Sequence, residues 1–244
     1  MSRNNIKTIL SIDFDYFQDV TPELLREYPD GIDVSTELST VIWSSKYCFN
    51  GKRLKEIKPL SEELRLLKKL IKAQDPHTKI LISQSHKDIY KWIHDNVAVG
   101  EKMCLINIDM HHDMFNENKQ LDCGNWVKFI MNEYGRENMG FKWIANPVSF
   151  EMYGFEKNEE ESKLFHSYIG TSINDIGIEK FDMIFLCRSD AWLPPHLDDD
   201  FNDVVKLMIA TSCEGKICSN VAKPRDYQRY IVQMENSMTH LSEL

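Results

Sequence analysis

Short apolar runs alternate along the chain with segments whose apolar residues recur every three or four positions. Ile6 to Phe14 (IKTILSIDF) is an apolar β run. Leu60 to Ala73 (LSEELRLLKKLIKA) places Leu64, Leu67, Leu70 and Ile71 at helical spacing. Ser61 is placed to cap that helix, Glu62 and Glu63 suit its first turn, and Asp75-Pro76 stops it. Lys79 to Ser83 (KILIS) reads as a second strand and His86 to Val97 as a helix. Met103 to Ile108 (MCLINI) reads as a third strand, Asn125 to Tyr134 as a helix, and Met183 to Cys187 (MIFLC) as a further strand. Asp198 to Thr211 opens with acidic residues and then carries Val204, Val205, Leu207 and Met208 as a helix. This alternation predicts an α/β protein with a mainly parallel sheet covered on both faces, a three-layer α/β/α arrangement in one domain over residues 1–244. Residues 30 to 58 and 145 to 180 show no clear period and read as loops that build the rim of a pocket.

Composition narrows the classes. With 244 residues, 42% of them hydrophobic, the chain can bury one sizeable core. Only 10 Gly and 8 Pro exclude a collagen-like or low-complexity chain. The 29 basic and 38 acidic residues leave a formal charge of -9, which argues against nucleic acid as a partner and suits a cationic one. No run approaches the roughly 18 apolar residues of a membrane span, so no membrane is expected. The N-terminal apolar stretch is interrupted by Asp13 and Asp15 and does not read as a signal peptide. The six cysteines contain no Cys-x-x-Cys pair and read as reduced thiols of a cytoplasmic protein.

The chemistry lies where the strands stop. The first ends in Asp13-Phe14-Asp15, the second runs into Ser83-Gln84-Ser85-His86, the third into Asp109-Met110-His111-His112-Asp113, and the last into Arg188-Ser189-Asp190. Ligands of open α/β sheets bind at the carboxyl ends of strands, so four such ends suggest one shared site. In extended chain, residues i and i+2 face the same way, which groups Asp13 with Asp15 and Asp109 with His111 and Asp113. Four carboxylates and two imidazoles, with no thiolate, suit Mn²⁺ or a related divalent ion better than structural zinc.

These residues resemble the ureohydrolases, arginase and agmatinase among them, on the arginase/deacetylase fold. That family has a His after one strand, an Asp-x-His-x-Asp strand end and an Asp-x-Asp strand end. His86, then Asp109, His111 and Asp113, match the first two elements, and Asp13 and Asp15 the third. Cys123-Gly124-Asn125-Trp126 is similar to the family's substrate-binding Ser-Gly-Asn segment. The Asp-x-Asp element comes first here, a permuted order, and Val127 follows where the family commonly has a proton-shuttle histidine. With Arg188 to Pro195, these departures resemble a divergent branch that includes peptide arginases, which convert arginine residues of a peptide to ornithine.

The resemblance implies two Mn²⁺ ions held by Asp13, Asp15, His86, Asp109, His111 and Asp113, activating water for attack on a guanidinium carbon. It implies bridging or shared roles for Asp109 and Asp13, and for Asp113 a role in orienting the nucleophile. His112, His166 and His196 are candidates to protonate the leaving amine. Asp190 is a candidate to fix the substrate guanidinium, with Ser189 and Asn125 as further substrate contacts. The implied partner is an arginine-containing precursor peptide, and the family often forms homo-oligomers. Free arginine or agmatine, a same-fold zinc deacetylase and a catalytically inert metal-binding module are the alternatives. The Asp13-Phe14-Asp15 element also resembles the nucleophile motif of haloacid-dehalogenase-type phosphatases, but that reading leaves Asp109, His111 and Asp113 unexplained.

Overall fold

A computed structural model describes residues 6–29, 33–115, 119–153, 169–220 and 224–242. Strand β1 (Lys7–Asp13) runs into a 3-10 turn over Phe14–Phe17 and the short β2 (Gln18–Asp19), followed by α1 (Pro22–Leu25) and the long α2 (Thr36–Leu54). Then come β3 (Lys58–Pro59), α3 (Ser61–Lys72), β4 (Lys79–Ser83), α4 (Asp88–Asn96) and β5 (Met103–Asp109). The second half holds α5 (Trp126–Tyr134), β6 (Met139–Ala145), α6 (Pro147–Tyr153), β7 (Ile169–Gly170) and β8 (Met183–Cys187). It ends with α7 (Asp198–Thr211), β9 (Ile217–Ser219) and α8 (Tyr227–Ser242).

Seven strands form one parallel sheet in the order β7-β6-β5-β1-β8-β4-β9. Helices cover both faces, so the fold is a three-layer α/β/α sandwich. The strand residues divide by parity. Leu10, Ile12, Ile184 and Leu186 join α2, α3 and α7 in one core cluster. Ile9, Met183 and Phe185 join α4 and α5 in the other. Burial on both faces explains why these strands read as continuous apolar runs rather than as alternation. No helix among the described residues is long and apolar enough to cross a membrane.

Three expectations are corrected. The described part of residues 145 to 180 holds α6 and β7 rather than loop alone. Residues 30 to 58 hold α2, the longest described helix, rather than a loop. Its buried residues are Thr36, Ser39, Thr40, Trp43, Ser44, Tyr47 and Leu54, so hydroxyls interrupt the apolar stripe that would have revealed it. Thr40 and Ser44 donate back to the carbonyls of Thr36 and Thr40 at 2.6 Å, which makes small polar residues tolerable inside. Ser61 is the first helical residue of α3 rather than its cap; its hydroxyl donates to the Pro59 carbonyl at 3.4 Å.

Register aligns the strand ends. Ile12 lies opposite Ile108, and Asp13 and Ser83 both lie opposite Cys187. The carboxyl ends of β5, β1, β8 and β4 therefore stand side by side. From β1 the chain crosses to β4 on one side of the sheet, while from the adjacent β5 it passes to β6 on the other, the reversal that opens a ligand crevice at strand ends.

Candidate metal centre

Asp13 is the last residue of β1, and its Oδ1 accepts the Asp15 N–H at 3.1 Å, closing the turn that brings Asp15 round. Asp15 lies in the 3-10 turn, not in extended chain, so this turn and not strand alternation places both carboxylates in the site. Asp15 Oδ1 accepts the Met110 N–H at 3.1 Å and so ties the β1 turn to the β5 turn. Asp109 ends β5, and its Oδ1 accepts the His111 N–H at 2.8 Å. Asp113 follows with φ at 53°, a left-handed conformation costly for a non-glycine residue and concentrated at functional sites. His86 enters from the turn between β4 and α4.

The side chains converge in two groups, Asp13 with His86 and Asp109, and Asp15 with Asp109 and His111. All are buried, and Asp109 belongs to both. His86 Nδ1 lies 3.1 Å from Asp13 Oδ2, 3.2 Å from Asp109 Oδ2 and 3.1 Å from Asp113 Oδ2. His111 Nδ1 lies 3.0 Å from Asp15 Oδ2 and 3.7 Å from Asp109 Oδ1. Despite these distances, His86 Nδ1 and Asp15 Oδ2 have no hydrogen-bond partner among the described residues. Buried polar atoms without partners are rare and costly, and here they point at common centres. The described residues thus form groups that could hold a metal ion.

Supporting residues fix the cluster. Ser11 Oγ lies 2.7 Å from His86 Nε2 and accepts its proton in the tautomer that presents the Nδ1 lone pair. Asn107 Nδ2 donates to Asp109 Oδ2 at 3.1 Å, and Trp126 Nε1 donates to Asp113 Oδ2 at 2.5 Å. Sequence reasoning did not single out Ser11 or Asn107, although the signal was present. Each is a polar residue inside an apolar strand, two positions before a ligand. Replacing Ser11 with Ala is expected to weaken Mn²⁺ binding roughly 10–100-fold, as loss of such partners does. Titration against a chromogenic chelator reads this, and an unchanged affinity would remove Ser11 from the support.

The electrostatics are those of an uncompensated cluster. Burial, and then the charge of Asp109, push Asp13 and Asp113 above the usual carboxylate range. Burial and the charge of Asp13 do the same to Asp15. Burial would raise Asp109 too, but the imidazoles of His111 and His86 beside it outweigh burial and hold Asp109 low. Burial disfavours charge on His86 and His111, yet the carboxylates around them win and push both up. Protons on the imidazoles thus take the place that a cation would fill, and a metal must displace them. Metal affinity should therefore fall as pH falls, with proton release on binding in weakly buffered solution as the check.

The remaining expected residues lie elsewhere or are already engaged. Arg188 holds Asp190 through Nε on Oδ1 and through a terminal nitrogen on Oδ2 at 2.9 Å, and the Thr36 hydroxyl adds a third bond. The carboxylate assigned to a substrate guanidinium thus already holds the chain's own, which corrects that assignment. Replacing Asp190 with Ala leaves Arg188 buried and unpaired, with an expected cost of about 3 kcal/mol. A melting curve checks this; a substrate carboxylate would shift KM and leave the melt alone.

Ser189 has φ at 57°, and its carbonyl accepts from Trp192 and Leu193 at 2.8 Å, so its role is to shape the turn. Asn125 donates to the Gln120 carbonyl at 2.8 Å and accepts from the Asp122 N–H at 2.9 Å, bracing its own loop. His112 packs against Phe115, Trp143 and Tyr153 and accepts the Met114 N–H at 3.0 Å. Burial, then the charge of His111, push it down to about 4. It is neutral at pH 7 and unsuited to be the acid expected of it. His196 bonds the Tyr47 hydroxyl and, at 3.0 Å, the Ile57 carbonyl, which occupies both ring nitrogens. His166 lies outside the described residues. Trp192 packs 4.5 Å from His111, ring centre to ring centre, and walls the site.

Comparison of the chain with protein-family models, with curated proteins and with solved structures gives no match in any of the three.

Proposed function

We propose that the chain is a binuclear metallohydrolase of ureohydrolase type that cleaves the guanidinium group of arginine residues in a peptide. The observation that carries this reading is Asp109, shared by two Asp/His groups, in each of which one buried atom, His86 Nδ1 in the first and Asp15 Oδ2 in the second, lacks a hydrogen-bond partner. The donor set fits divalent cations. An octahedral ion with bonds of about 2.1 Å has neighbouring donors about 3.0 Å apart, and a tetrahedral one about 3.4 Å. Four of the five spacings of His86 and His111 to their carboxylates, at 3.0–3.2 Å, lie near the octahedral value, and the fifth, His111 to Asp109, is 3.7 Å. Octahedral preference with mixed oxygen and imidazole donors favours Mn²⁺ over Zn²⁺ and over Mg²⁺. A deacetylase-type single zinc would leave one group's carboxylates uncompensated.

His86, Asp13 and Asp109, with Asp113 beside them, would hold one ion; Asp15, Asp109 and His111 would hold the other. When bound, such a pair supplies a nucleophile from water at neutral pH and neutralises the carboxylates. Asp113 Oδ2, steadied by Trp126, is placed to orient water and carry its proton to the leaving nitrogen. Water adds its oxygen to the guanidinium carbon, the bond from that carbon to the side-chain nitrogen breaks, and urea and a protonated amine result. Trp192 presents an apolar wall that excludes bulk water beside His111.

Mass spectrometry of Mn²⁺-loaded protein with arginine-containing peptides and with free arginine tests this. The expected result is a peptide lighter by one cyanamide unit per arginine, with one equivalent of urea. Turnover of free arginine alone would move the substrate, and no urea from either would reject the reading.

A further inference from the structure

A second surface feature lies away from the metal centre. A groove of about 580 Å³ runs along α3 and is lined by Pro59, Ser61, Leu64, Arg65, Lys68, Lys69, Lys72 and Asp200. Its four cations fall at i, i+3, i+4 and i+7, one stripe of the helix. In a chain of net charge -9 this is a local reversal of sign. Arg65 is paired with Glu62 at 2.5 Å. Among the described residues, no carboxylate forms an ion pair with Lys68, Lys69 or Lys72, and nearby Asp203 is taken by Lys206 at 3.0 Å. The helix dipole favours cations in the last turn of α3, but it does not account for a stripe that reaches back to Arg65 beside an open groove.

The groove leads toward the site. Its upper end, Pro59 to Ser61, is fastened to the segment that follows Asp15. The Leu60 N–H donates to the Phe17 carbonyl at 2.9 Å, and Pro59 pairs with Gln18. Gln18 in turn donates to the carbonyls of Asp15 at 2.9 Å and Trp192 at 3.1 Å. That fastening places the upper end of the groove beside the turn that carries Asp15 and beside Trp192.

We infer that this groove docks an acidic, extended segment of the peptide substrate, which delivers a neighbouring arginine to the metal centre; the inference rests on the reading of the chain as acting on a peptide. The dimensions agree. The 12-residue α3 is about 18 Å long, the span of roughly five or six extended residues. Cations one helical turn apart repeat every ~5.4 Å, and alternate side chains of an extended peptide every ~6.7 Å, a difference that flexible lysines absorb. A nucleic acid fits less well. Three unpaired lysines fall short of the roughly 6–10 phosphate contacts of strong binders, and Asp200 in the lining opposes a phosphate backbone.

The test uses a fluorescein-labelled peptide with three alternating glutamates, a flexible spacer and one arginine. Its glutamine counterpart and a single-stranded DNA of equal charge are the controls. Anisotropy is measured on the full chain in EDTA, so that binding is read without turnover. The acidic peptide is expected to bind roughly ten-fold tighter than the glutamine peptide, with the gap closing at high salt. Lys68→Glu/Lys69→Glu/Lys72→Glu should abolish the preference. The triple Lys→Gln variant, which keeps the helix-forming character of these exposed positions, should remove most of it. With Mn²⁺, both variants should raise KM for the acidic peptide and leave kcat unchanged. Equal binding of both peptides, an unchanged preference in the Gln variant, or tighter binding of the DNA would overturn the groove assignment while leaving the hydrolase reading intact. Absence of urea from every substrate, with the binding preference retained, would overturn the hydrolase reading instead.

Discussion

Alanine in place of Asp109 is expected to empty both metal positions at once and to abolish metal-dependent urea release. Asp109 is the one carboxylate common to the two groups, with Oδ2 3.2 Å from His86 and Oδ1 3.7 Å from His111. Its loss also frees Asn107 and the His111 N–H, which it holds at 3.1 and 2.8 Å. The loss of affinity should exceed the 10–100-fold typical of supporting partners. Two readouts apply, metal content per chain and thermal stability. At a free Mn²⁺ concentration 100 times Kd, a bound ion stabilises the native protein by about 2.7 kcal/mol, and the variant should gain almost none of this. Replacing Asp13 or His111, each in one group only, should spare part of the metal content. A variant lacking Asp109 that still held two ions and released urea would end the proposal.

The second large effect is expected at Arg225, far from the cluster in sequence and not foreseen from it. Its guanidinium is buried and grips both oxygens of Asp198, with Nε on Oδ2 at 3.0 Å. It also donates to the carbonyls of Asp190 at 3.0 Å and Leu193 at 2.8 Å. Ser39 and Trp43 donate to the same Asp190 carbonyl at 2.6 and 2.9 Å, so one backbone oxygen anchors the turn after β8. Arg225→Ala leaves Asp198 unpaired and takes a donor from the Leu193 and Asp190 carbonyls, the latter keeping Ser39 and Trp43, with an expected cost of about 3–5 kcal/mol. At about 2–4 °C per kcal/mol for a protein of this size, the melt should fall by roughly 6–20 °C. Arg225→Lys should recover little, because an ammonium lacks the fork that serves four acceptors. Because this turn carries Trp192 against His111, KM should rise before the fold is lost. A melt within about 1 °C of the parent would refute the anchoring role.

Much of the fold was readable along the chain. The apolar runs of β1, β4, β5 and β8 stand where expected, because strands buried on both faces must be apolar throughout. Helix α3 was readable from Leu64, Leu67 and Ile71, which form its buried stripe. Helix α2 was not, because Ser and Thr hydroxyls interrupt its inner face, some bonded within the helix and others, as Ser39 to the Asp190 carbonyl, to distant segments. The ligand types and strand ends were legible too, since charged residues directly after apolar runs have few structural excuses. The extended i, i+2 geometry assumed for them was not what places Asp15 and Asp113, which stand in turns held by backbone hydrogen bonds to carboxylates.

By itself, then, the sequence determined that this is an α/β protein whose strands end in carboxylates and imidazoles, because burial and periodicity are local properties of a chain. Only the tertiary structure decided which of those groups meet. It set β1 between β5 and β8, so that Asp109 is shared by Asp13 with His86 and by Asp15 with His111. It also gave Asp190 to Arg188 rather than to a ligand. Strand order and side-chain pairing are contacts between residues far apart in the chain, and no local pattern carries them.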